Sequence, residues 1–197
     1  SIDSYQRAIK IKPNFTEAYN NLGLAFEELG KFNESIDSYQ RAIKINPEYA
    51  EAYNNLGITF KMTGKFNESI DSYQRAIKIN PEYAEAYNNL GNVYNINEKV
   101  DEAILSYKKA IKIDANFAEA YSNLGHLLKE IGKIDEARNC ENKLLSLTPN
   151  DIGYKINSTL SIIPVVSSIK EINFYRNDYQ KGLEFLKKYQ YITEKPG

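Results

Sequence analysis

Gly30-Lys-Phe-Asn-Glu-Ser-Ile-Asp-Ser-Tyr-Gln-Arg-Ala-Ile-Lys-Ile-Asn-Pro-Glu-Tyr-Ala-Glu-Ala-Tyr-Asn-Asn-Leu-Gly57 returns without a change as Gly64 to Gly91, which sets a period of 34 residues from Gly30 to Gly64. A fixed period of this size marks stacked copies of one supersecondary unit, because a single copy has no partner against which to bury its apolar face. The same register holds from Thr16 onward. One unit carries Tyr19, Leu22, Gly23, Phe26, Gly30, Ser35, Tyr39, Ala42 and Pro47, and the next carries Tyr53, Leu56, Gly57, Phe60, Gly64, Ser69, Tyr73, Ala76 and Pro81.

That pattern resembles the tetratricopeptide repeat, with Tyr in place of the usual Trp at the first aromatic position. The resemblance implies an all-α, right-handed α-solenoid of helix-turn-helix units. Small residues (Gly23, Ser35, Ala42) admit close helix approach, and the aromatics fill the space around them. Gly30 and Gly64 provide the positive φ that ends each first helix, and Pro47 and Pro81 end each second helix by pushing the preceding residue out of the α region.

Three segments follow. Residues 1–15 repeat residues 35–49 and form the second helix of a truncated unit, so the chain reads as a piece of a longer protein whose apolar N-terminal face is open to self-association. Residues 16–149 hold four repeats, with helices expected at about 16–29, 32–45, 50–63 and 66–79 in the first two. In the first of these, Ala18, Leu22, Ala25 and Leu29 form one apolar stripe; in the second, Ile36, Tyr39, Ala42 and Ile43 do so. Repeat three has Glu98 at the turn glycine and Ala115 at the closing proline, and Asn97 is expected to take the left-handed turn conformation. Repeat four keeps Tyr121, Leu124, Gly125 and Gly132 but has Arg138 and Glu141 at apolar positions, as a terminal repeat does. Residues 150–197 leave the pattern, with helices expected over 151–163 and 168–189, the second opened by the capping box Ser168-Ile-Lys-Glu171 and packed on repeat four.

The charges balance, 25 basic against 26 acidic residues, so no long-range field favours nucleic acid or an anionic membrane as partner. No apolar run of membrane-spanning length is present. One cysteine, Cys140, excludes an internal disulfide and fits a cytoplasmic chain. The lone histidine, His126, has no companions at metal-ligand spacing, and there is no Gly-rich phosphate loop. The expectation is therefore no catalytic residue, no metal and no cofactor. His126 is read as a groove-facing surface residue and Cys140 as a semi-buried one.

The first helix of each repeat lines the concave side in the family this chain resembles. With Leu22 toward the core, Glu17, Asn20, Asn21, Leu24, Glu27 and Glu28 turn toward the groove. Asn21 recurs as Asn55, Asn89 and Asn123; a second row, Asn20, Asn54 and Asn88, lapses at Ser122. An amide both donates and accepts, so the rows are candidate hooks for the main chain of an extended protein or peptide partner, with little expected dependence on salt. The alternative is that they came with the duplicated unit and make local bonds. The phrase Ala-Tyr-Asn-Asn-Leu-Gly resembles the repeats of O-linked N-acetylglucosamine transferases and SPINDLY proteins, and residues 162–183 resemble the connector after such arrays. That resemblance implies a second function, substrate recognition for a glycosyltransferase domain outside this chain. The branch of the family that clamps chaperone carboxylates needs Lys or Arg where this groove has Asn20, Asn54, Asn88, Glu27 and Glu28, and is disfavoured.

Overall fold

The computed structural model describes residues 2–148, together with Gln180 and Glu184, which are helical and exposed. The expected helix over 151–163 and the rest of that over 168–189 lie outside the described residues. The chain divides into two compact units, Ser1–Ala137 and Arg138–Gly197.

Among the described residues the regular structure is entirely helical: α1 (Ile2–Ile11), α2 (Thr16–Glu28), α3 (Phe32–Ile45), α4 (Ala50–Met62), α5 (Phe66–Ile79), α6 (Ala84–Ile96), α7 (Val100–Ile113), α8 (Ala118–Glu130) and α9 (Ile134–Leu147). Within the first unit, α2/α3, α4/α5 and α6/α7 form antiparallel hairpins, and each second helix packs on the next first helix, so the fold is an α-solenoid. The core lies between units of the repeat. Tyr39 and Ile36 of α3 pack with Leu56 of α4, and Ile70 and Tyr73 of α5 with Leu90 and Val93 of α6.

Each hairpin repeats the same close contact. A Cβ built on Gly23, Gly57 or Gly91 would stand 2.6, 2.7 or 2.6 Å from Cε1 of Tyr39, Tyr73 or Tyr107. The glycine is therefore required by the ring that lies on it, not by its backbone angle. Gly64 answers the other need: its φ is +74°. Its N–H reaches the carbonyl of Lys61 while that of Lys65 reaches Phe60, which is the paired closure of a helix C-terminus around a left-handed residue.

Repeat three corrects one expectation. Asn97 has φ −89° and only terminates the helix; Glu98 itself takes the left-handed conformation, at φ 58°. The closure keeps its form, with Glu98 N–H on Asn95 and Lys99 N–H on Tyr94. A side-chain-bearing residue accepts about 1–2 kcal/mol of steric cost there because the turn is dictated by its neighbours. The missing proline at Ala115 is also harmless. Asn46, Asn80 and Asp114 each accept an N–H two residues on, from Glu48, Glu82 and Asn116, and this turn ends the helix with or without proline.

The apolar stripes hold except at their ends. Ala18, Leu22, Ile36, Tyr39 and Ala42 are buried, Ala25 and Ile43 are half-buried, and Leu29 is 62 % exposed because it is the residue at which α2 stops. No helix among the described residues is long and apolar enough to cross a membrane.

Candidate functional site

Successive first helices touch one another, α2 with α4, α4 with α6 and α6 with α8, whereas the second helices α1, α3, α5 and α7 do not touch among themselves. The layer of first helices is thus the more tightly spaced. A two-layer stack curves toward its tighter layer, so these helices form the inner wall of the solenoid.

The two asparagine rows lie on this wall and are joined. Asn55 Nδ2 donates to Asn20 Oδ1 at 3.1 Å, Asn89 to Asn54 at 3.1 Å and Asn123 to Asn88 at 3.0 Å. Asn20 and Asn88 in turn donate to Glu51 Oε1 at 3.0 Å and Glu119 Oε1 at 2.9 Å. Each repeat is therefore stitched to the next by amide contacts between its first helices. Asn20, Asn54 and Asn88, expected to turn toward the groove, are instead 0 %, 5 % and 1 % exposed. Their place is the seam between neighbouring first helices, where a buried amide has to be bonded and the next repeat bonds it.

Asn21, Asn89 and Asn123 remain half-buried, and Asn55 is 7 % exposed. In this row the Nδ2 of Asn55, Asn89 and Asn123 is engaged, while the Oδ1 accepts no hydrogen bond among the described residues. The alternative of local bonds made by the duplicated unit thus describes the donor half of Asn55, Asn89 and Asn123, and the acceptor half is left over. The periodic signal was legible in sequence, but the offset of 35 residues that pairs one row with the other was not.

Below the wall lie the hairpin tyrosines. Tyr107 donates to Asn92 Oδ1 at 2.8 Å. The residues one and two periods earlier are Ile58 and Leu24, which pack against the clusters of Tyr73 and Tyr39. Accordingly the hydroxyls of Tyr73 and Tyr39 are buried with no hydrogen-bond partner. Burial first, then the negative charge of Glu27, pushes the Tyr39 phenol well above its ordinary range; the nearby Ser35 hydroxyl partly offsets this without reaching bonding geometry. An unbonded buried hydroxyl costs about 1–3 kcal/mol. Tyr73→Phe should therefore leave stability unchanged or raise it by about 1 kcal/mol, whereas Tyr107→Phe, which breaks a made bond, should lower it by about 1 kcal/mol. Thermal unfolding of the two variants checks this, and an equal loss in both would contradict it.

Thr59, present only in repeat two at this register, is buried and donates to Glu27 Oε2; its equivalent in repeat one is Ala25. His126 is exposed and Cys140 is buried. No group of three or more His, Cys, Asp or Glu suited to a metal occurs among the described residues.

Family models for the TPR repeat match residues 1–30, 27–64, 60–95 and 91–132, and a tetratricopeptide repeat model matches 118–151. The chain belongs to the tetratricopeptide repeat family. A search of curated proteins returned no match. Among solved structures, the repeats are similar to a crystal structure of MamA, with 34 % identity over 75 % of this chain and 86 % of that one, TM-score 0.68. They share the fold of YrrB, described as a TPR protein with an unusual peptide-binding site, at 18 % identity over 93 % and 91 % of the two chains, TM-score 0.68. The fold also matches a thermophilic TPR protein of Thermus thermophilus, at 24 % identity over 80 % and 86 % of the two chains, TM-score 0.67. The finer resemblance to O-linked N-acetylglucosamine transferase and SPINDLY repeats is not shown by these relatives. Among the described residues the tetratricopeptide repeats form the whole fold, and no catalytic domain accompanies them.

Proposed function

We propose that this tetratricopeptide array is a protein-interaction scaffold that holds an extended segment of a partner protein along the inner wall of its first helices. The observation that carries this reading is the row Asn21, Asn55, Asn89 and Asn123, one amide per repeat, with the acceptor oxygen unengaged among the described residues. An acceptor repeated at the helix spacing suits the N–H groups of an extended main chain. The reading is consistent with the peptide-binding site described for YrrB. The glycosyltransferase alternative gains nothing from the geometry and is not carried further.

Because Asn55, Asn89 and Asn123 also stitch repeats together, removing them affects stability as well as binding. The test is the affinity of the 197-residue chain for an uncharged extended peptide, read with and without Asn21, Asn55, Asn89 and Asn123 changed to Ala, with helicity measured in parallel. At about 0.5–1.5 kcal/mol for each hydrogen bond, the four changes should weaken binding by several kcal/mol. Should the quadruple variant lose helicity, the pair Asn21→Ala and Asn123→Ala, at the two ends of the row, serves instead. Unchanged affinity in a helical variant would remove the row from the site.

A further inference from the structure

The near-zero net charge conceals a segregation that emerges once the helices are sorted into two layers. The first helices α2, α4, α6 and α8 carry seven glutamates and two lysines. The second helices α1, α3, α5 and α7 carry nine basic and seven acidic residues. The layer of first helices is therefore at −5 while the layer of second helices is at +2, an arrangement that argues against the expectation that salt would matter little.

Four of those glutamates, Glu17, Glu51, Glu85 and Glu119, form a column with one in the first turn of each first helix, all exposed. Glu27 and Glu28 extend it at the other end of α2. None of the six makes an ion pair among the described residues. Their hydrogen-bond donors, where they have them, are neutral: Asn20 and Tyr49 on Glu51, Asn88 on Glu119, and Thr59 on Glu27. Glu27, Glu51 and Glu119 are held in place without being neutralised.

A second observation concerns the same wall. The Tyr39 hydroxyl is wholly buried and has no acceptor, and the charges that act on it are those of Glu27, Glu51 and Glu28. Leu24 stands where Asn92 satisfies the corresponding tyrosine in repeat three. Between α2 and α4 the wall thus holds carboxylates without a cation above a core tyrosine that cannot neutralise them, and an incoming ammonium group supplies the missing charge.

We infer that the segment held in the groove is basic, an extended peptide with Lys or Arg placed about every third residue to meet the glutamate column. The spacing follows from the fold. Packed helices lie about 8–10 Å apart, and an extended chain rises about 3.3 Å per residue, so one repeat is matched by roughly three residues. This inference rests on the groove reading above and deepens it by naming the partner's charge and spacing. Exposed pairs are individually weak, but several engaged together favour a basic partner and make its binding salt-sensitive.

The experiment uses the 197-residue chain and three labelled peptides built from Lys-Thr-Ser, Gln-Thr-Ser or Glu-Thr-Ser units, one unit for each repeat, with anisotropy read at low and high salt. The lysine peptide should bind roughly tenfold or more tightly than the glutamine peptide at low salt, and the advantage should vanish at high salt. It should also vanish when Glu17, Glu51, Glu85 and Glu119 are changed to Gln, which keeps the acceptor for Asn20 and Asn88. Glu17→Gln with Glu85→Gln, which touches neither stitch, is the second variant if the first loses helicity. Equal binding of the lysine and glutamine peptides, or tightest binding of the glutamate peptide, overturns the inference. If the glutamine peptide binds in a manner that depends on Asn21, Asn55, Asn89 and Asn123 while lysine adds nothing, the groove reading stands and the basic preference falls. If no peptide binds, both fall.

Discussion

Tyr73→Ala is expected to lower the stability of the array by about 3–5 kcal/mol, the range for removing a buried aromatic from a packed core. The ring is 0 % exposed and packs with Ile70, Leu90 and Val93 while covering Gly57. It therefore joins two interfaces, the hairpin α4/α5 and the contact of α5 with α6. In a linear array each unit is stabilised mainly by its neighbours, so damage at this central position should also uncouple the repeats on either side. Urea unfolding followed by circular dichroism should show a lower midpoint and a broader or divided transition. A loss below about 1 kcal/mol would mean that the cavity collapses, and that the ring is not the joint described here.

Gly57→Ala tests the same joint from the other side, and the sign of its effect is the informative part. Alanine in a helix interior is favoured over glycine by about 1 kcal/mol. Against this, the new Cβ would lie 2.7 Å from Cε1 and 2.8 Å from Cδ1 of Tyr73, and a fully buried ring has no free direction in which to move. Overpacking of this kind costs about 1–3 kcal/mol, so the net expectation is a loss of about 1 kcal/mol or more. In a Tyr73→Ala background the obstruction is gone and the propensity remains, so the same substitution should become stabilising. A double-mutant cycle on thermal or urea unfolding reads this inversion directly. Additive effects would show that Gly57 is required by something other than the tyrosine ring.

The repeat, its helices and most of its core are legible in the order of residues alone. A period of 34 residues with small and aromatic residues at constant places admits one local solution, and both turn glycines and the buried stripe of Ile36, Tyr39 and Ala42 follow from it without knowledge of the whole. Even the departure at Glu98 was visible, though not which residue would take the left-handed angle, because that depends on the hydrogen bonds that close the turn. What the asparagines do depends instead on how the helices pack. Side chains 35 residues apart meet because adjacent first helices lie against each other, and that contact turned Asn20, Asn54 and Asn88 from expected groove residues into a buried seam. The charge of the groove was hidden for the same reason. Composition sums glutamates and lysines along the chain, whereas a partner meets one layer at a time, and the fold sorts seven glutamates and two lysines into the layer of first helices.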